Sequence, residues 1–236
     1  MKNRILTAVA FLLTVTLNAT IWHVGATQTY TMPSQVSTLV NHGDTVNIDA
    51  GTYNSNVCAW NKNNLLLRCL NGMAHLKSNG LSYGDKAIWV IQGNNTRVEH
   101  IEFSLCTSTS ANGAGIRQEG QNLIVRNCYF HDNENGILAG AITPCKITVE
   151  YTEFNLNGAG DGFSHNLYIG HIDTLLFRYN YSHHCKIGHE LKSRANINYI
   201  LYNSCSNEAI GTAIREVDIP NGGLSIVMGN IIHQFI

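Results

Sequence analysis

The chain has 236 residues, of which only 13% are charged, with a formal net charge of −1, 21 glycines and three prolines. This near-neutral balance offers no strongly basic surface, so we expect no nucleic-acid partner. Frequent glycine and asparagine, without a long amphipathic helical pattern, favour many short strands joined by tight turns.

The N-terminus has the layout of a secretory signal peptide. Lys2 and Arg4 precede an apolar stretch from Ile5 to Leu17, which ends near the small residue Ala19. We therefore predict that residues 1–19 are removed and that the protein is secreted, to the extracellular space or the periplasm. No segment approaches the roughly 20 apolar residues of a membrane helix, so no membrane span is expected. Residues 20–236 are long enough for one domain.

Seven cysteines are an odd number for a secreted chain, so at least one thiol stays unpaired within it. Their spacing matches no zinc motif. Only Cys58 and Cys69 lie close enough in sequence to suggest a local disulfide, and we interpret most of the others as small buried side chains.

One pattern of apolar and polar residues recurs every 24 to 28 residues through much of the chain. Segments with one apolar and polar pattern begin at Val98, Val125, Val149 and Phe177, with weaker copies at Leu201 and Met228, so that the separations are 27, 24, 28, 24 and 27 residues. Such a period is too short for a propeller blade and lacks the leucine-rich repeat pattern. It predicts a parallel β-helix, in which each coil buries its inner face against the next. An ordinary β-sandwich with coincidental spacing is the alternative.

Asparagines recur at one position of this repeat, at Asn127, Asn203 and Asn230. Asparagine tolerates the left-handed turn conformation and can stack its amide on an equivalent amide. We predict an asparagine ladder along the axis.

The segment Gly43–Tyr53, GDTVNIDAGTY, resembles the opening coil of pectate-lyase-like β-helix proteins. The resemblance implies an all-β, single-stranded right-handed parallel β-helix over residues 20–236, with a short N-terminal capping helix at about Pro33 to Asn41. It implies much less about activity, since one fold hosts several chemistries. Because Ile236 falls inside a coil without a cap, we expect the natural chain to continue beyond it. A monomer is expected.

Each coil also contains a second strand, in segments that begin at Gly115, Gly136, His165, Gly188 and Ile214. Period-two alternation, with Leu167, Leu191 and Val217 inward, predicts a polar stripe with residues about 4.8 Å apart per coil. The outward residues are then Asn166, Tyr168, Glu190, Lys192, Arg194, Glu216 and Asp218. Strict alternation turns Arg215 inward, unless a turn or bulge restores the outward direction.

This stripe is rich in cations for a chain of such low charge, which suits a carboxylate-bearing polysaccharide. Elimination from a uronate needs a cation for the carboxylate, a base for the neighbouring proton and an acid for the leaving oxygen. The predicted substrate-binding residues are Arg117, Tyr168, His165, His189, Arg194, Glu216 and Asp218. The alternative is a solvated strand face with ordinary charges.

The segment His189–Asn196, followed by Ile214-Arg215-Glu216, resembles polysaccharide lyase family six, the alginate lyases and chondroitinase B. The resemblance implies that Lys192 is the catalytic base and that Arg215, about one coil later, is the acid. Two departures stand out: Cys185-Lys186-Ile187 replaces the carboxylates that bind calcium in that family, and Glu216 replaces the expected histidine. Calcium is the cofactor that the resemblance would imply, but this sequence does not match the family's calcium ligands, so no cofactor is firmly expected.

Four histidines, His165, His183, His184 and His189, crowd into adjacent coils, and His165 and His189 are predicted to stack. They suit a catalytic base or a metal cluster, but nothing forces three imidazoles to converge, so no metal site is predicted. Hydrolysis ranks below elimination because no paired aspartates lie on the stripe. The leading hypothesis is a polysaccharide lyase or C5-epimerase acting on a uronate polymer, and the alternative is a non-catalytic glycan-binding or cell-surface β-helix.

Overall fold

The computed structural model describes residues 19–235, which form a right-handed parallel β-helix of about eight turns. The predicted fold class is confirmed. The predicted signal peptide, apart from Ala19, lies outside the described residues. Among residues 19–235 the structure has no helix that is both long and apolar enough to cross a membrane.

Three parallel sheets form the sides of the solenoid, and neighbouring strands within a sheet come from successive coils. Sheet A contains β1 (Ile21–Val24), β2 (Thr45–Ile48), β5 (Leu66–Cys69), β8 (Thr96–Glu99), β11 (Leu123–Arg126), β14 (Lys146–Glu150), β17 (Thr174–Arg178), β20 (Ile197–Leu201) and β23 (Leu224–Met228). Sheet B contains β3 (Gly51–Asn54), β6 (Ala74–Lys77), β9 (Ile101–Ser104), β12 (Tyr129–His131), β15 (Glu153–Asn155), β18 (Tyr181–His183), β21 (Ser204–Ser206) and β24 (Ile231–His233). Sheet C contains β4 (Cys58–Trp60), β7 (Ala87–Ile91), β10 (Ala114–Gln118), β13 (Asn135–Ala139), β16 (Leu167–Ile169), β19 (His189–Ser193) and β22 (Arg215–Asp218).

The register of sheet A confirms the repeat at four of its six predicted positions. Val98, Val125, Val149 and Phe177 pair in one column. The column then continues through Ile200 rather than Leu201, and through Val227 rather than Met228. The last two positions were therefore wrong by one residue. Both coils carry adjacent apolar residues there, so hydrophobicity alone did not distinguish the inward residue; packing turns Ile200 inward.

Stacked aromatic rings fill the interior. The ring of Phe130 lies parallel to those of Phe103 and Phe154, with centroids 4.8 and 5.1 Å away. All three side chains are fully buried. Each phenyl ring thus contacts the ring of the next coil instead of water. A single coil by itself has no such partner.

An asparagine ladder runs along the axis, as predicted, and it contains the predicted Asn203 and Asn230 together with Asn180. The Asn180 Nδ2 donates to Asn203 Oδ1 at 3.0 Å, and Asn203 Nδ2 donates to Asn230 Oδ1 at 2.8 Å. Asn127 lies one position earlier in its coil, with φ of 50°, where the equivalent residues Tyr179 and Tyr202 are also left-handed. Its predicted place in the ladder was wrong, because the left-handed residue and the ladder residue are successive positions of the turn.

A single helical turn, α1 (Pro33–Val36), precedes the first full coil. The Gln35 side chain accepts from the backbone amides of Thr31 and Met32, which satisfies two free donors near the start of the helix. Val36 and Val40 are buried against the core. The capping helix is thus confirmed but is shorter than the predicted Pro33–Asn41, since only turns continue towards Val40.

All seven cysteines are unpaired and buried. Cys58 lies in sheet C and Cys69 in sheet A, and both side chains point into the core. The suggested disulfide between them was wrong, because eleven residues of chain carry them to different sides of the coil. Burial raises the pKa of the Cys58 and Cys128 thiols to about 12.

Candidate functional site

The strands of sheet C break the strict alternation of inward and outward side chains. On β19, Glu190 and Leu191 are consecutive and both are fully buried, and on β22 Glu216 and Val217 also point inward. An irregularity of this kind re-aims the side chains on either side of it. His189 and Lys192, and likewise Arg215 and Asp218, consequently face outward. The alternative that a bulge restores the outward direction of Arg215 is confirmed.

The same irregularity corrects three predicted orientations. Asn166, Glu190 and Glu216 were expected on the outer stripe, but their side chains lie inside the solenoid. Glu190 Oε1 accepts from the Cys185 amide at 2.9 Å, and its Oε2 accepts from Ser182 Oγ at 3.0 Å and from Asn166 Nδ2. Glu216 therefore has no access to an external substrate, and its predicted role in substrate binding is wrong.

Asp218 is the centre of the outward groups at this end of sheet C. Its carboxylate oxygens lie 3.3 Å from His189 Nε2, 3.8 Å from Lys192 Nζ and 3.6 Å from Arg215 Nη1. Lys192 and Asp218 are directly paired across β19 and β22, as are His189 and Arg215. One carboxylate thus orients the two residues that were predicted as base and acid. The Arg215 side chain is the most open of the four, at 60% exposure.

Three rings extend this arrangement onto the neighbouring coil. The His165 and His189 rings stack with centroids 4.7 Å apart, as predicted, and Tyr168 stacks on His165 at 5.8 Å. His165 Nδ1 accepts from the His189 amide, so the lone pair lies at Nδ1. Burial, with His189 and Lys192 nearby, lowers the pKa of His165 to about 3. His165 is accordingly neutral and adds no charge.

Arg194 completes the group from the turn after β19. Its Nε donates to Tyr168 Oη at 3.1 Å, and its Nη1 donates to Asn221 Oδ1. Tyr168 itself pairs with Lys192 across the sheet. We name as the sheet C cluster the residues His165, Tyr168, His189, Lys192, Arg194, Arg215 and Asp218. His165 and His189 are only 1% and 4% exposed, so they do not offer the open contact with a substrate that was predicted, whereas the other five are partly exposed or exposed.

Arg117 shares the column of Lys192 but lies outside the cluster. The column runs from Arg117 through Leu138 and Tyr168 to Lys192. Leu138 therefore separates Arg117 from Tyr168, and two strand spacings amount to roughly 10 Å. Its Nε lies 4.0 Å from Glu119 Oε1. Arg117 is placed to contact a long ligand further along sheet C, but not the groups around Asp218.

The sheet C cluster does not resemble a calcium site. Among its outward residues, as the structure describes them, Asp218 supplies the carboxylate, and that carboxylate already faces an imidazole, an ammonium and a guanidinium. Calcium prefers six to eight oxygen ligands. These residues therefore do not fit the ion.

The four crowded histidines separate into two pairs in space. His165 and His189 stack on sheet C, whereas His183 and His184 lie at the end of β18 in sheet B, where their Nδ1 atoms are 2.6 Å apart. A different group was not predicted from the sequence: His75, Glu102 and His131 on sheet B bring three potential metal-ligand atoms within 4.8 Å of one another. The sequence spacing of these three residues does not indicate a site, because only the register of the coils makes residues so far apart in sequence neighbours in space.

No family model matches the sequence, and no curated protein matches it. Among solved structures, the chain is similar to the pectin methylesterase PemA from Erwinia chrysanthemi, with 12% identity and a TM-score of 0.56, over 92% of this chain and 79% of that one. It is also similar to a pectin methylesterase in complex with a hexasaccharide, with 11% identity and a TM-score of 0.53, over 81% of this chain and 66% of that one. The chain shares the right-handed parallel β-helix fold of these pectin methylesterases.

Proposed function

We propose that this protein is a secreted carbohydrate-active enzyme that acts on a uronate-containing polysaccharide as a lyase or a C5-epimerase. The observation that carries the proposal is the convergence of Lys192 and Arg215 on Asp218 at the outer surface of sheet C. A parallel sheet side offers a long shallow surface, which suits a polymer rather than a small molecule. The structural neighbours that bear the name pectin methylesterase support the same substrate class.

The chemistry follows from the positions of the charged groups. Arg194, held by Tyr168 and Asn221, would neutralise the uronate carboxylate and so stabilise the negative charge that develops when the C5 proton leaves. Lys192, as a neutral amine, would accept that proton, and the resulting ammonium would be stabilised by the Asp218 carboxylate, 3.8 Å from its Nζ. In a lyase the C–H electrons form the C4–C5 double bond while the C4–O bond breaks, and Arg215 would donate a proton to the leaving oxygen. In an epimerase C5 would instead be reprotonated from the opposite face.

Asp218 would act as a positioning residue in both reactions. Its contacts with Lys192 Nζ and Arg215 Nη1 hold both side chains on the same side of the sheet, and its own side chain is only 15% exposed. Catalysis by proton transfer depends on donors and acceptors within hydrogen-bond reach of the reacting atoms. Without Asp218, the exposed Arg215 would lose the contact that fixes its guanidinium.

The experiment is to incubate the full chain with pectate, alginate and dermatan sulfate in heavy water. Ultraviolet absorbance reports the unsaturated uronate of a lyase, and proton NMR reports deuterium at C5 for an epimerase. We expect Lys192→Ala and Arg215→Ala each to lower turnover on the order of 100-fold or more. Lys146→Ala, an exposed lysine of sheet A, is the matched control and should retain wild-type turnover. Neither product from any of the polymers, or full turnover by Lys192→Ala, would refute the proposal.

A non-catalytic glycan-binding function is the second candidate, and a separate surface favours it. The rings of Tyr151, Tyr179 and Tyr202 stack along the turn between sheets A and B, with centroids 5.1 and 5.6 Å apart. These partly exposed tyrosines line a groove of about 500 Å³. If pectate binds without turnover, and Tyr179→Ala weakens that binding while Lys192→Ala does not, the binding function replaces the catalytic one.

A further inference from the structure

Sheet B brings two histidines and a glutamate together on three neighbouring strands, away from the sheet C cluster. His75 lies on β6, Glu102 on β9 and His131 on β12, and β9 is the middle strand of the three. His75 pairs directly with Glu102, whereas His131 pairs with Ser104, two residues further along β9. Because neighbouring strands are only about 4.8 Å apart, the three side chains leave the sheet within reach of one another.

The two imidazoles point at the same carboxylate oxygen. Glu102 Oε1 lies 3.4 Å from His75 Nε2 and 3.0 Å from His131 Nε2. The three side chains are 21%, 23% and 18% exposed for His75, Glu102 and His131, so they are held by the sheet but remain accessible from one side. Two nitrogen donors and one oxygen donor therefore surround a single point at the surface.

Asp132 fixes the orientation of the His131 ring. Its Oδ2 lies 2.9 Å from His131 Nδ1, and the ring also stacks on Tyr129 with a centroid distance of 4.4 Å. A neutral imidazole has one N–H group, so it can donate to only one of its two carboxylate neighbours. With the proton on Nδ1, facing Asp132, the lone pair of Nε2 faces Glu102. A cation between them would satisfy both the lone pair and the carboxylate.

We propose that His75, Glu102 and His131 bind a divalent transition-metal ion of the zinc class. Two imidazole nitrogens and one carboxylate oxygen are a donor set that Zn²⁺ accepts with a fourth position left for water, whereas calcium and magnesium require mainly oxygen ligands. Asp132 would be the outer carboxylate that orients a metal-bound histidine, an arrangement common at such sites. Ser104 Oγ, 2.7 Å from His75 Nε2, is the nearest hydroxyl on the middle strand.

The second histidine group of sheet B is less suited to a metal ion. There the Nδ1 atoms of His183 and His184 contact each other, while the two Nε2 atoms face different carboxylates, Glu153 at 3.0 Å and Glu208 at 3.2 Å. His183, His184 and Glu208 also bring ligand atoms within 4.8 Å of one another, but the contact between the two Nδ1 atoms occupies a lone pair that a metal ion would need. This group supplies a matched control within the same sheet.

The test is calorimetric titration of the untagged full chain, after treatment with EDTA, with zinc chloride. We expect one Zn²⁺ per chain. His131→Gln and Glu102→Gln should each abolish that binding, and Asp132→Asn should weaken it on the order of 10-fold to 100-fold because the ring loses its outer partner. His184→Gln should bind zinc as the wild type does. Circular dichroism of each variant verifies that the coil is intact.

A spectroscopic measurement separates a defined site from loose surface binding. Cobalt in place of zinc should give the visible absorption bands of a low-coordinate ion with nitrogen ligands, and these bands should be lost in His75→Gln. Several outcomes would overturn the proposal: no stoichiometric zinc binding by the wild type, binding that survives Glu102→Gln and His131→Gln, or binding that is lost in His184→Gln.

Discussion

Glu190 is a carboxyl group held inside the solenoid, one strand away from the buried Glu216. It accepts hydrogen bonds from the Cys185 amide and from Ser182, and Glu216 Oε1 is buried without a hydrogen-bond partner. Removal from water disfavours the ionised form, and a second carboxylate nearby disfavours it further. Burial is the larger cause and raises the pKa of Glu190 to about 7. The buried carboxyl group of Glu190 therefore makes the stability of the protein depend on pH.

The first prediction concerns this carboxyl group. Below the ordinary pKa of 4.5 Glu190 is protonated in both states, and between 4.5 and about 7 the unfolded chain loses the proton while the folded chain retains it. Its contribution to the free energy of unfolding should thus decrease as the pH rises through this window, by roughly 3 kcal/mol in total, and stay constant above it. Urea unfolding at pH 5, 6 and 8 measures this. Glu190→Gln should flatten the dependence; an unchanged slope in this variant would show that other groups cause it.

At the scale of the strand, the extra inward position of sheet C requires small residues wherever a phenyl ring lies beside it. An added Cβ at Gly115 would come within 2.6 Å of the Phe130 ring, and one at Gly136 within 2.8 Å of the Phe154 ring. In the next coils the same position holds Asn166, Glu190 and Glu216, where Ser182 and Cys205 take the place of the stacked phenyl rings. A coil with a large phenyl ring on sheet B thus has a glycine at this position of sheet C, and a coil with a small side chain on sheet B has a larger, polar side chain there.

The second prediction tests that exchange. Gly115→Ala should lower the free energy of unfolding by about 1–3 kcal/mol, since a methyl group in a filled core forces its neighbours apart. Gly140→Ala is the matched control, because its added Cβ meets only Gln118 O at 3.5 Å, an ordinary contact. Chemical denaturation gives both values. Equal free energies of unfolding for the two variants would mean that the stacked phenyl rings can shift to accommodate the methyl group without loss of stability.

On the scale of the whole molecule, each coil of the solenoid contacts mainly its two neighbours, so stability is a sum of local terms. The central strands β11, β14 and β17 have coils on both sides, and their inward residues are fully buried. The side chains of β23 and β24 are exposed throughout. We therefore expect the coil that contains β23 and β24 to open more readily than the central coils.

The third prediction is a gradient in hydrogen exchange along the 236-residue chain. Backbone amides of β14 and β17 should exchange at least about 100-fold more slowly than those of β23 and β24, because central coils open only after their neighbours have separated. Mass spectrometry of peptic fragments measures this. The same protection in all coils would indicate that the solenoid opens as one cooperative unit.

The sequence was sufficient to predict the solenoid and part of the outer ribbon. Val98, Val125, Val149 and Phe177 predicted the coil because their spacing reflects a local need to bury one face of each strand. The ribbon that holds Tyr168, Lys192 and Asp218 side by side was predicted for the same reason, and it is confirmed. Hydrophobic periodicity is a local property, and these features depend on it alone.

Only the tertiary structure decided which side chains leave that periodicity. The consecutive inward pairs of sheet C exclude Glu216 from the surface and turn Arg215 outward, because the interior at those coils has room for a polar side chain. The approach of His75, Glu102 and His131 likewise depends on the pairing of separate coils. Coil lengths vary, with separations of 21 residues from Val46 to Leu67 and 31 from Leu67 to Val98. Packing of each coil against the next, rather than spacing along the chain, therefore sets the register that brings distant residues together.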